Sequence, residues 1–86
     1  LTWQIKWQDS ALKQLRSLEK PIQGRILKYL KERVIESTKD FGAELIGDKL
    51  GLWRYRVGDY RIICQLQNEK LIVLVVSVGH RKEVYN

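Results

Sequence analysis

Between residues 52 and 78 the chain runs through three alternating or apolar stretches, and the breaks between them are short enough to force hairpins. In the first stretch Trp53, Tyr55 and Val57 share one parity and Arg54 and Arg56 the other. Gly58-Asp59 then supplies what a two-residue turn needs, a glycine free to adopt positive φ beside a short polar side chain. Residues 60–67 run back, with Tyr60, Ile62, Cys64 and Leu66 on one side and Arg61, Ile63 and Gln65 on the other. Asn68, Glu69 and Lys70 make a second turn, and residues 71–78 are apolar on both parities, which predicts a central strand. Three consecutive antiparallel strands with one apolar face must be covered by another layer.

The upstream half provides that layer. Residues 1–7 alternate, with Leu1, Trp3, Ile5 and Trp7 against Thr2, Gln4 and Lys6, and predict a half-buried strand. Asp9 or Ser10 offers an N-cap, after which Ala11, Leu12, Leu15 and Leu18 recur at helical spacing as far as Lys20. Pro21 suits the first turn of a second helix, where its missing N–H costs nothing. That helix is expected to turn Ile22, Ile26, Leu27, Leu30 and Val34 inward, and Arg25, Lys28, Lys31 and Glu32 outward. Residues 40–51, with Gly42, Gly47 and Gly51, read as a loop with room for one helical turn. The expected architecture is a single α+β domain over residues 1–86, ordered strand, helix, helix, strand, strand, strand. Its helical hairpin packs on one face of a small, mainly antiparallel sheet and leaves the other face partly open.

Composition narrows the function classes. With 86 residues there is room for one domain, and a hydrophobic share of 44% is that of a folding chain. One cysteine excludes an internal disulfide, and with one histidine it argues against a zinc cluster, so a reducing, cytoplasmic home is expected. No apolar run approaches the roughly 20 residues that cross a bilayer, and the N-terminus lacks the order of a signal peptide. The net charge of +6 suggests a polyanionic partner, though it divides evenly at residue 50, +3 on either side.

Parity makes the charge informative. If the apolar sets of the three strands pack on the helices, Arg54, Arg56 and Arg61 converge on the open face. Ser77 marks the odd positions of the last strand as open-facing, which adds Gly79 and Arg81 if the strand extends so far. Arginine on a strand commonly guards an edge or faces solvent. Four arginines from three adjacent strands, with Tyr85 just beyond, instead suggest an anion site with a ring on which a base could stack. Cys64 falls on the apolar side and is expected in the core, and Trp3, Trp7 and Trp53 in the core or at its edge.

The run V-G-D-Y-R-I-I-C-Q-L from Val57, the strand L-I-V-L-V-V, and the ending V-G-H-R-K-E-V-Y from Val78 to Tyr85 resemble the RelE/ParE superfamily of bacterial and archaeal toxins. The resemblance covers essentially the whole chain, and the V-G-H-R-x-x-V-Y ending is characteristic of the RelE branch. It implies a ribosome-dependent endoribonuclease that cleaves mRNA in the A site without metal or other cofactor. It also implies an acidic, partly helical RelB-like antitoxin, with which the toxin represses its own promoter. The partners are then the antitoxin, the 70S ribosome and mRNA, with DNA contacted only through the antitoxin complex and no membrane involved.

Carried over by position, the family's two basic residues on the first hairpin strand fall on Arg54 and Arg56. Its phosphate-binding arginine falls on Arg61, its catalytic arginine on Arg81 and its stacking tyrosine on Tyr85, while Lys82 adds an RNA contact. The best-known RelE proteins have lysines where this chain has Arg54 and Arg56. An arginine, with a pKa above about 12, cannot serve as the base that a lysine can. Either the base lies elsewhere, or Arg56 stabilises charge while water or ribosomal RNA takes the proton. His80, whose side chain has an unperturbed pKa of about 6.5, is a candidate if Gly79 breaks strand parity and a packing or antitoxin-contacting residue if it does not. The rival readings are a ParE-like inhibitor of DNA gyrase that cuts no RNA, and a degenerate member that serves only as its antitoxin's repressor partner.

Overall fold

A computed structural model of the chain describes residues 2–36, 38, 41–44 and 52–80. Strand β1 (Gln4–Trp7) leads into helix α1 (Asp9–Arg16), then α2 (Lys20–Tyr29), which continues as a π-helical turn over Leu30–Val34. A two-residue strand β2 (Ala43–Glu44) precedes β3 (Leu52–Val57), β4 (Tyr60–Gln67) and β5 (Ile72–His80). The sheet order is β1-β5-β4-β3-β2, with β1 parallel to β5 and the remaining pairs antiparallel. The expected α+β arrangement is therefore present, and β5 is internal, between β1 and β4.

The helices cover one face. Ala11, Leu15, Ile26, Leu30 and Val34 meet Tyr55, Ile62, Cys64, Val73, Val75 and Val78 in one core. Cys64 is fully buried there, as its parity predicts. Burial pushes its thiol pKa well above the ordinary range, as it does for the Tyr55 phenol, where the neighbouring Cys64 and Tyr29 add to the effect. Gln23 ties the helices together: its Nε2 donates to the Leu18 carbonyl at 2.7 Å and the Arg16 carbonyl at 3.3 Å, two acceptors left over at the end of α1.

Several expectations need correction. The N-cap of α1 is Gln8, with no side-chain cap, and Asp9 instead lies in the first turn, where its charge complements the helix dipole. Leu27, expected inward, is 46% exposed. The loop expected over 40–51 contains β2, whose Ala43 and Glu44 pair with Arg54 and Trp53; the rest of that segment from residue 45 lies outside the described residues. Leu71, expected in the last strand, is a turn residue with φ 54°, so β5 starts at Ile72. Finally, the odd positions of β5 are open-facing only near its end. A bulge shifts register between Ile63/Ser77 and Cys64/Val75, so Val73 and Val75 are buried against the helices.

The segment before β3 is pinned to it. The buried Tyr55 hydroxyl donates to the Thr38 carbonyl at 2.7 Å, and Trp53 Nε1 donates to the Phe41 carbonyl at 2.9 Å. Gly42 has φ +76°, and a Cβ there would run into the Arg54 carbonyl, so only glycine lets the chain pass this close to β3.

Candidate nucleic-acid interface

Opposed residues in an antiparallel pair share a face, so the registers place the arginines directly. Arg56 pairs with Arg61, and Arg61 pairs with Gly79, giving one row across β3, β4 and β5. The next row runs Ala43, Arg54, Ile63, Ser77. Both rows lie on the face opposite the helices, since the alternate residues Tyr55, Ile62 and Val78 are in the core. Arg54, Arg56 and Arg61 thus come together as expected, with Ser77 and Gly79 beside them.

The three are not equivalent. Arg56 is exposed, whereas Arg54 and Arg61 are half-buried, and the Nε and Nη1 atoms of Arg61 are fully covered. A guanidinium held against the sheet loses side-chain freedom before any ligand arrives, so less entropy remains to be lost on binding. Gly79, which pairs with Arg61, is itself buried. Two cations directly opposed on neighbouring strands work against the sheet. A polyanion bound across that row would turn this unfavourable contact into a favourable one.

His80 closes β5. Its pairing with Tyr60 keeps strand parity intact through Gly79, so it stands on the helix side, away from Arg61. Its ring meets Tyr60 edge-on, with centroids 5.7 Å apart and planes at 81°. Arg81, Lys82 and Tyr85 lie outside the described residues.

One further side chain bears on the site and carries no periodic signal in the sequence. β1 ends where Gln8 N–H donates to the Val75 carbonyl at 3.0 Å, and among the described residues no strand pairs with the last part of β5 on that side. Gln14 of α1 takes over, its Oε1 accepting from Val78 N–H at 2.8 Å one residue before Gly79. On the helix side, the turn at Gly58 (φ +60°) is approached by the Arg25 guanidinium. Arg25, Lys28 and Arg33 there border a hollow of about 380 Å³ with Tyr29, Glu32 and Val57.

Comparison with known proteins bears on the family and the fold. The family model described as ParE toxin of type II toxin-antitoxin system, parDE, matches residues 5–85. The chain belongs to the RelE/ParE family of toxins. A putative RelE-like toxin protein of Escherichia coli is 34% identical over 89 residues, covering 100% of this chain and 93% of the relative. The isolated E. coli RelE toxin superimposes with a TM-score of 0.77 at 31% identity, covering 96% of this chain and 90% of that one. The toxin in the intact E. coli RelBE toxin-antitoxin complex gives 0.74 at 27% identity, covering 91% and 95%. This RelE/ParE member therefore lies on the RelE-like branch, as the motif ending at Tyr85 suggests. Among its described residues no helix is long and apolar enough to cross a membrane.

Proposed function

We propose that this RelE-like toxin is a metal-independent endoribonuclease that cleaves mRNA in the ribosomal A site and is neutralised by an acidic antitoxin, the pair repressing its own operon. The observation that carries the reading is the placement of Arg54, Arg56 and Arg61 together on the face opposite the helices, with Arg61 half-buried. In such a reaction the ribose 2′-oxygen attacks the adjacent phosphorus. The new O–P bond closes a 2′,3′-cyclic phosphate as the bond to the 5′-oxygen breaks, and the 2′-OH proton is lost while the 5′-oxygen gains one. Negative charge grows on the phosphoryl oxygens, and arginine forks match their geometry.

In this scheme Arg61 clamps the scissile phosphate, and Arg54 and Arg56 hold the RNA backbone and stabilise charge. Arg81 meets the transition-state charge and protonates the leaving oxygen, Tyr85 stacks a codon base, and Lys82 contacts RNA. The packing of His80 on Tyr60 supports a structural role for it, which leaves water or ribosomal RNA to take the 2′-OH proton.

Mapping mRNA ends in cells after induction tests the scheme. Cuts are expected within translated frames, between codon positions, and Arg61→Ala is expected to lower cleavage by about 10²–10³-fold, the usual loss of one oxyanion-stabilising donor. Undiminished toxicity of both Arg61→Ala and Arg81→Ala would refute the site. The match to a ParE family model favours a second reading, a gyrase inhibitor that cuts no RNA; intact mRNA with a DNA-damage response and filamentation would establish it instead.

A further inference from the structure

β1 accompanies β5 only as far as the pair Trp7↔Val75. Val78, three residues further on, is buried at 3% exposure. A buried N–H without an acceptor is costly, so this one must be served from elsewhere. Its acceptor is Gln14 Oε1 at 2.8 Å, from a residue 64 positions away in the sequence. Gln14 is itself exposed, whereas Ala11 and Leu15 seat α1 in the core. An exposed glutamine that served only solubility would keep its rotamer freedom in water; this one gives it up to reach a single strand N–H.

The direction of that bond bears on the arginine face. Along an antiparallel pair, successive residues alternate between bonding to the partner strand and facing away from it. Val78 N–H goes to Gln14, so its neighbours Ser77 and Gly79 are the residues whose backbones face β4, opposite Ile63 and Arg61. This stretch lies past the register shift at Ile63/Cys64, where β5 is out of step with its first half. Gln14 therefore fastens the shifted register from its outer edge, one residue before the pair Arg61↔Gly79, and Arg81 follows two residues after Gly79 in the sequence. We infer that Gln14 is a positioning residue for RNA cleavage: by accepting from Val78 N–H it holds the end of β5 in the register that sets Gly79 against Arg61 and fixes the point from which the chain runs on to Arg81. The inference rests on the endonuclease reading above and adds a residue that acts through the backbone.

Single-turnover cleavage of ribosome-bound mRNA over a range of toxin concentrations tests it, with exchange of the Val78 amide followed by NMR. Gln14→Met keeps the length of the side chain and removes the acceptor. It is expected to lower the maximal cleavage rate about 10-fold or more, as a displacement of about 1 Å near reacting groups does, with half-saturation unchanged within about 2-fold. Exchange at Val78 should speed up in the same variant. Gln14→Glu keeps an acceptor oxygen at the same reach and should restore both the rate and the protection. Gln23→Met cuts the tether to the Leu18 carbonyl within the helical hairpin and is the control for lost stability; its rate should stay at the wild-type level even where its Tm falls as far. Should Gln14→Met fail to fold, Gln14→Asn, one methylene shorter and out of reach of Val78, takes its place. An unchanged rate without the acceptor, no rescue by Gln14→Glu, or an equal loss in Gln23→Met would overturn the inference while leaving the endonuclease reading intact. Wild type that leaves ribosome-bound mRNA uncut would overturn both.

Discussion

Replacing Arg56 by Gln should make the protein more stable while weakening its hold on RNA. Arg56 stands directly opposite Arg61 across β3 and β4. With Cβ atoms of such a pair about 5 Å apart and guanidinium centres about 8 Å apart, a dielectric of about 80 gives ~0.5 kcal/mol of repulsion. Glutamine keeps most of the aliphatic stem and removes the charge, so a gain of about that size is expected, or roughly 2–4 °C in Tm for a domain this small. The assay is thermal or urea unfolding of both proteins in ~20 mM and ~1 M NaCl. At ~1 M the Debye length is about 3 Å, so the advantage of Arg56→Gln should disappear there. Sulfate matched to chloride in ionic strength should raise the wild-type Tm further than it raises the variant's, because the intact row binds the dianion. A variant less stable than wild type at low salt, or one whose advantage persists unchanged at ~1 M, would refute the claim that Arg56 and Arg61 repel one another across this row.

Two further outcomes concern the core beneath the site. Tyr55→Phe removes the hydroxyl that donates to the Thr38 carbonyl at 2.7 Å, and leaving that buried acceptor without its donor should cost about 1–3 kcal/mol in urea unfolding with m unchanged. Tyr55 and Cys64 are both held protonated by burial, so the folded state retains protons that the unfolded chain releases; stability should be fully present below about pH 8.5 and fall as pH rises past the unfolded thiol and phenol pKa values of about 8.5 and 10, and native Cys64 should resist thiol reagents.

What was legible in the sequence divides by physical cause. The arginine face followed from period two, because Gly58-Asp59 fixes the register of β3 on β4 and every later pair then inherits its face. Ser77 and Gly79 were placed correctly for a different reason, the polarity of Ser77 in an otherwise apolar strand. Val73 and Val75 were not, because the bulge sits among valines and leucines, where one extra residue leaves no mark in the pattern. Leu27 is adjacent to the buried Ile26, and a helical stripe has soft edges. Whether such an edge residue is covered depends on how far the next layer reaches, which no single segment encodes. β2 is two residues long and owes its pairing to the closeness allowed by Gly42, a tertiary fact.

The same bulge that defeated parity helps to build the site. Before it, β5 presents Val73 and Val75 to the helices and pairs with β1; after it, the strand has shifted by one residue and presents Ser77 and Gly79 to the open face. Without the extra residue, the parity that buries Val73 and Val75 would carry Gly79 to the helix side, away from Arg61. The shifted strand has lost β1 as a neighbour, and Gln14 supplies the acceptor that β1 would have provided to Val78 N–H. A strand that must present valines to the helices along its first half, yet set Gly79 opposite Arg61 near its end, needs such a break. The bulge and its glutamine prop therefore shape the proposed binding face as much as Arg61 does.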